Sequence, residues 1–245
     1  MEEAPPRSVL LDLDPAYSYQ ERLRTAVDRV IPLPPLPRRV CPEAGAAAAL
    51  EGALAGLAGP LLVFLGSGDY HYLTALLVRR VHQPFDLLLV DRHSDAGGSF
   101  WGDGFLTCGG WVGWARRWPW LRRVVRLSGR SRPPAERLLA RLSAPAVYVS
   151  VDKDALHPDD ARTSWGEGAL RLEDLLQVLD AVAARRRLAG MDVCGEPVLA
   201  LPGLPSRAER AALALCQRAN LVLLEWWRGA VSRHDGLPGP RLRAA

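Results

Sequence analysis

Phe85-Asp86-Leu87-Leu88-Leu89-Val90-Asp91-Arg92-His93-Ser94-Asp95 is the stretch on which the reading of the fold turns. A nearly continuous apolar run of strand length suits a strand buried on both faces, and such strands belong to mostly parallel sheets covered by helices. The run stops on three residues of metal-ligand type, Asp91, His93 and Asp95, at alternate positions. Alternate side chains of an extended segment share a face, so these three are expected to project together, with Arg92 and Ser94 opposite.

Two further stretches repeat the pattern. Upstream, the apolar run Leu61–Leu65 leads through Gly66-Ser67-Gly68-Asp69-Tyr70-His71 into a helix expected from about 70 to 80. Downstream, the run 146–151 ends in Asp152-Lys153-Asp154. In an open parallel sheet, ligands gather outside the carboxyl ends of the strands. Four carboxylates crowded there would raise one another's pKa unless cations neutralise them, and two divalent ions balance four negative charges. The residues therefore predict a two-metal site, with His71 as the sixth ligand beside Asp91, His93, Asp95, Asp152 and Asp154. Carboxylates and imidazoles without a thiolate favour Mn²⁺ over Zn²⁺.

The rest of the chain continues the strand-helix alternation. A first strand is expected at 8–13, a loop at Ile31–Pro37 where prolines crowd, a helix at 46–57, and a helix or turn near 108–117. A strand near 121–127, a helix at about 133–142 starting after Pro133-Pro134, a helix at 171–187, a short strand at 190–194 and a helix at 206–228 complete it. The expectation is one α/β domain over 1–245, three layers with a mostly parallel sheet, its core in 60–230 and a loosely ordered tail from 234 to 245.

Composition narrows the function. With 245 residues, 49% hydrophobic and 24% charged, the chain can bury a core without disulfides or a structural metal, so a metal site would serve chemistry. The net charge is +4, yet Lys153 is the single lysine among 31 basic residues, and acidic residues are interspersed with the arginines. No nucleic-acid partner is expected, and Arg185-Arg186-Arg187 reads as a solvated helix face. Cys41, Cys108, Cys194 and Cys216 form no C-x-x-C pair, which excludes a zinc ribbon or thioredoxin-type motif and fits a reducing cytoplasm. No secretory signal is expected at the start of the chain. The stretch 46–65 carries Glu51, glycines and Pro60, so no membrane span is expected either.

Taken together, Gly68-Asp69-Tyr70-His71, Asp91-Arg92-His93-Ser94-Asp95 and Ser150-Val151-Asp152-Lys153-Asp154 resemble the Gly-Gly-Asp-His, D-x-H-x-D and S-x-D-x-D elements of the ureohydrolases, the family of arginase, agmatinase and formiminoglutamase. They occur in the family's order over roughly residues 60–200, and the segment before them has no match. The resemblance implies an arginase/deacetylase-like fold and a homo-oligomer, a trimer or hexamer. It also implies two manganese ions, one on His71 and Asp95, the other on His93 and Asp154, with Asp91 and Asp152 bridging. A metal-bridging hydroxide would then attack a trigonal carbon, with Asp95 orienting it and passing its proton to the leaving nitrogen.

The sequence also departs from the family. Ala96-Gly97-Gly98-Ser99-Phe100-Trp101 follows the D-x-H-x-D element where an Asn of the substrate loop is usual, and Val112 stands where the proton-shuttling His would be. The substrate-binding Glu falls on Gly195, with Glu196 adjacent, so Glu196 is carried over as a substrate-binding residue. Trp101, Trp111 and Trp165 are expected to wall a substrate cavity, and Glu167 to reach it. His82, His157 and His234 read as surface or loop residues, His157 being close enough to Asp154 for a role behind the ligands. Cys194 reads as a small buried apolar group.

The leading expectation is a manganese hydrolase cleaving a C–N bond of a small guanidino, amidino or formimino compound. A zinc deacetylase of similar fold is the alternative, against which stands the absence of adjacent histidines. A metal-binding protein without catalysis is the third class, suggested by the missing shuttle His and loop Asn.

Overall fold

A computed structural model describes residues 7–97, 102–130 and 135–235. In chain order the strands are β1 (Ser8–Asp12), β2 (Arg29–Pro32), β3 (Val40–Pro42), β4 (Leu62–Ser67), β5 (Phe85–Val90), β6 (Phe105–Thr107), β7 (Leu121–Leu127), β8 (Ala146–Asp152) and β9 (Arg187–Glu196). The α-helices are α1 (Glu21–Ala26), α2 (Glu43–Ala53), α3 (Thr74–Leu77), α4 (Trp111–Ala115), α5 (Ala135–Leu139), α6 (Leu172–Ala183) and α7 (Arg207–Asp235). Seven strands form one sheet in the order β2-β1-β4-β9-β8-β5-β7, with every neighbouring pair parallel.

Period-two alternation sorts the side chains of the central strands into two cores. Leu62 and Phe64 of β4, Leu88 and Val90 of β5, and Val147, Val149 and Val151 of β8 pack with α6 and α7. Val63 and Leu65, Phe85, Leu87 and Leu89, and Tyr148 face the other way, against α2, α3 and α4. Each such side chain taken fully out of water contributes roughly 1.5–3 kcal/mol, and burial on both faces is what makes these strands read as apolar runs. The helices follow the same logic. In α6, Leu172, Leu175, Val178, Leu179 and Val182 are buried at helical spacing, and Glu173 and Asp174 sit in the first turn, at the positive end of the helix dipole. At the start of α7, Ser206 and Glu209 exchange backbone-to-side-chain bonds of 3.2 and 2.7 Å, a reciprocal cap.

Several expectations change. Ile31 and Pro32 belong to β2, paired with Leu11 and Asp12, rather than to a loop. β2 is an edge strand, where a proline's missing N–H disrupts no second ladder. The segment expected as a helix over 70–80 is a succession of tight turns, with 3-10 geometry at Gly68–Leu73 and Val78–Arg80 around the short α3. Buried on every side from Gly68 to Val78, it has no solvent face to impose amphipathic spacing. β9 runs for ten residues where five were expected. The antiparallel pair β3–β6 gave no periodic signal because each strand has only three residues. Pro133-Pro134, Trp101, the His234 side chain and the tail from 236 to 245 lie outside the described residues.

Candidate metal centre

β4, β9, β8 and β5 are consecutive in the sheet, so the segments leaving their carboxyl ends meet. From the turn after β4, the buried His71 brings Nδ1 to 3.0 Å from Asp95 Oδ2, 3.4 Å from Asp91 Oδ2 and 3.6 Å from Asp152 Oδ2. His93, whose side chain is half exposed, has Nδ1 2.7 Å from Asp154 Oδ2 and 3.7 Å from Asp91 Oδ1. Asp91 thus turns one oxygen to each imidazole and joins two ligand-like groups, His71–Asp91–Asp95 and Asp91–His93–Asp154. Asp152 falls instead with His71 and Cys194. All six expected ligands come together.

They do so by a different route from strand alternation. β5 ends at Val90, and the backbone N–H of His93 folds back onto Asp91 Oδ1 at 2.5 Å. β8 ends at Asp152, whose Oδ1 accepts from the N–H of Asp154 at 3.0 Å. Both are therefore Asx-type turns, in which Asp91 holds the loop carrying His93 and Asp152 the loop carrying Asp154. Asp95 closes its loop in the left-handed region, at φ 46°, a conformation that non-glycine residues adopt at a cost.

Behind His71, Nε2 lies 2.9 Å from Ser150 Oγ, which donates to Asp192 Oδ1 at 2.8 Å. Thr74 Oγ1 donates to the same oxygen at 3.1 Å. With the serine proton committed to Asp192, the serine oxygen accepts from Nε2–H, which aims Nδ1 at the carboxylates. Neither Ser150 nor Asp192 was assigned a role from sequence. The available signal was a polar residue inside a strand buried on both faces.

The centre carries more negative charge than its own groups can neutralise. Burial, then the Asp152 charge, pushes Asp91 well above the carboxylate range and Asp154 up to about 8. Burial opposes a charged His71, but the bond to Asp95 and the charges of Asp95, Asp91 and Asp152 raise it to about 10. Asp95 goes the other way: burial would raise it, but His71 and the Trp111 N–H hold it below its ordinary value. Asp91 Oδ2 and Asp154 Oδ2 are buried without a hydrogen-bond donor. Burial also pushes the Cys194 thiol well up, so it stays protonated.

The expected substrate contacts require correction. Trp111 is wholly buried on α4, and its indole N–H donates to Asp95 Oδ2 at 2.7 Å. It therefore supports Asp95 from behind and is not among the residues lining the cavity. Glu196 is also wholly buried, paired with Lys153 and receiving Gln20 Nε2 at 2.5 Å and Asn220 Nδ2 at 2.7 Å. A substrate could reach it only by breaking that set. Gly195, at φ +89°, leaves no room for a side chain, since a Cβ there would stand 2.5 Å from Asp152 Oδ1. Glu167 is exposed and outside the cavity lining, and His157 sits in its own turn, accepting from the Asp159 N–H at 3.2 Å. Trp165 does line the cavity, which has a volume of about 400 Å³, together with His71, His93, Asp95, Asp152, Arg92 and Arg126. Val112, at the shuttle position, is buried in the apolar core.

No family model matches the sequence. Solved structures share the architecture at low identity. Proclavaminate amidino hydrolase from Streptomyces clavuligerus is 16% identical, with a TM-score of 0.60 over 92% of this chain and 93% of that one. Bacillus subtilis arginase is 16% identical, with a TM-score of 0.59 over 89% and 98%. Formimidoylglutamase from Bacillus subtilis is 13% identical, with a TM-score of 0.57 over 95% and 89%. These likenesses show the arginase-type α/β fold. An uncharacterized protein of Thermotoga maritima is 32% identical over 210 residues, 79% of this chain and 81% of that protein. The chain therefore belongs to one family with the Thermotoga maritima protein, and it is a divergent member of the ureohydrolase fold.

Proposed function

We propose that the protein is a binuclear manganese hydrolase that cleaves a C–N bond in a small guanidino, amidino or formimino compound. The observation that carries this reading is the pair of His/Asp groups joined at Asp91 on the floor of an open cavity. The donor set fits divalent ions: buried carboxylate oxygens without donors, two imidazole nitrogens directed at them, and a neighbouring thiol that stays protonated. His71, Asp91 and Asp95 would hold one ion and Asp91, His93 and Asp154 the other, with Asp152 completing the set beside His71. When bound, two such ions supply Lewis acidity to water and to the carbon under attack.

The chain's own residues do the rest. Asp95 borders the cavity and accepts the Trp111 indole N–H at 2.7 Å, which favours its ionised form, so it can take up a proton and return it to a leaving nitrogen. Ser150 and Asp192 fix the His71 ring, and the Asx turns fix Asp91 and Asp152. With Val112 buried, α4 offers no proton relay of its own. Four free thiols and the want of a helix long and apolar enough to cross a membrane, among the described residues, support work in the cytoplasm, which we propose together with a trimeric or hexameric assembly.

Elemental analysis of protein purified without chelator from manganese-supplemented cells tests the reading. About two manganese per chain, followed by turnover in a screen of guanidines, amidines and formimino compounds, is the expected result. One zinc per chain would favour a deacetylase-like reaction, and a metal-free protein would overturn the proposal.

A further inference from the structure

We infer that the substrate carries an acidic group, and that Arg92 and Arg126 hold this carboxylate or phosphate at the mouth of the cavity. This rests on the two-metal reading of the centre and adds to it the class of compound that the site accepts. Both arginines line the cavity, and no carboxylate among the described residues lies within ion-pair distance of either guanidinium. Arg24, Arg39, Arg79, Arg117, Arg185 and Arg228 each pair with an acid, whereas Arg116, Arg122 and Arg123 pair with none among the described residues; what sets Arg92 and Arg126 apart is that they are unpaired and line the cavity.

The two guanidinium groups are also positioned. Arg126 Nη1 donates to the carbonyl of Arg92 at 3.0 Å, which ties the strand β7 to the loop after β5. Arg92 reaches across to the turn of Thr163–Gly166 and lies so close over Gly166 that a Cβ there would stand 2.1 Å from its Nη1. Gly166, at φ +101°, is the residue that permits this approach. Next to it Trp165 supplies a flat apolar wall, steadied by Arg39 over its ring at 5.1 Å.

A cationic group on the part of the substrate away from the centre finds no corresponding partner. The acids that border the cavity, Asp95 and Asp152, belong to the ligand set, and Glu196 is consumed by Lys153 beneath it. Four ligand aspartates and two divalent ions would sum to zero, so even with a bound hydroxide Arg92 and Arg126 would leave the cavity with a net positive charge. A planar guanidinium pair is matched to two-pronged binding of carboxylate or phosphate. The susceptible C–N group would then lie toward His71 and Asp95, and the acid toward the arginines.

The test is calorimetric binding to the manganese-loaded protein of 4-ureidobutanoate, the urea analogue of a guanidino acid, and of its methyl ester, which removes the negative charge and adds one methyl group, with inorganic phosphate as a competitor. The acid should bind at least about ten-fold more tightly than the ester. Arg126→Gln and Arg92→Gln should each bring that ratio towards unity, and Arg126→Glu should reverse it, with metal content per chain unchanged. Because Arg126 also bonds the Arg92 carbonyl, metal content measured on each variant separates loss of the anion site from displacement of Asp91 or His93. Equal binding of acid and ester, or a preference that survives both substitutions, would overturn the inference. Metal content, measured on the same samples, reports separately on the two-metal reading.

Discussion

Replacing the buried Lys153 by Met should destabilise the protein by about 3 kcal/mol, although Met is a neutral side chain of nearly equal length. Lys153 Nζ is paired with Glu196 and donates to Asn220 Oδ1 at 2.8 Å, and Asn220 and Gln20 complete the Glu196 shell. Both charges are at most 1% exposed. Removing one member of a buried pair costs about 3–5 kcal/mol, because the other charge is left in a medium that cannot solvate it. The lower end applies here: two amide donors remain on Glu196, and Met refills the volume of the lysine stem. At this chain length the loss corresponds to a fall in Tm of roughly 6–12 °C. Urea unfolding of the wild type, Lys153→Met, Glu196→Gln and the double variant measures it. The double variant should be more stable than the sum of the singles predicts, since it buries no lone charge. A single variant within about 0.5 kcal/mol of wild type, or strictly additive losses, would refute the reasoning.

Three other outcomes are expected. Ser150→Ala removes the acceptor behind His71 Nε2 without touching a ligand, and should weaken manganese binding about 10–100-fold in a chelator competition while the circular dichroism spectrum stays unchanged. Chelator-treated protein should lose thermal stability as pH rises. Asp154 holds a proton in the folded state up to about 8 and His71 up to about 10, both above their unfolded values, so the folded form releases protons at a cost between pH 4 and 10. Manganese-loaded protein should show no such decline over pH 6–9, and matching profiles for the two forms would sink the assignment of these ligands. Gly195→Ala should cost more than about 1 kcal/mol, through the positive φ and the 2.5 Å approach to Asp152 Oδ1, and should lower metal content; normal stability with full metal would show that the D-x-D turn tolerates displacement.

The sequence by itself determined the layers and the candidate ligands. Apolar runs at 62–65, 85–90 and 146–151 have no amphipathic face, which leaves only a sheet covered on both sides, and Asp and His at their carboxyl ends name the chemistry. What surrounds the ligands was decided by tertiary structure. Glu196 and Trp111 read as substrate contacts while their partners, Lys153 with Asn220 and Gln20, and Asp95, lie up to 176 residues away along the chain. A side chain's exposure depends on which distant groups satisfy it, and hydrogen bonds of that separation leave no local pattern. The same holds for Arg92 and Arg126: charge is visible in a sequence, but whether a guanidinium already has an acid beside it is settled only when β7, the loop after β5 and the turn at Gly166 come together.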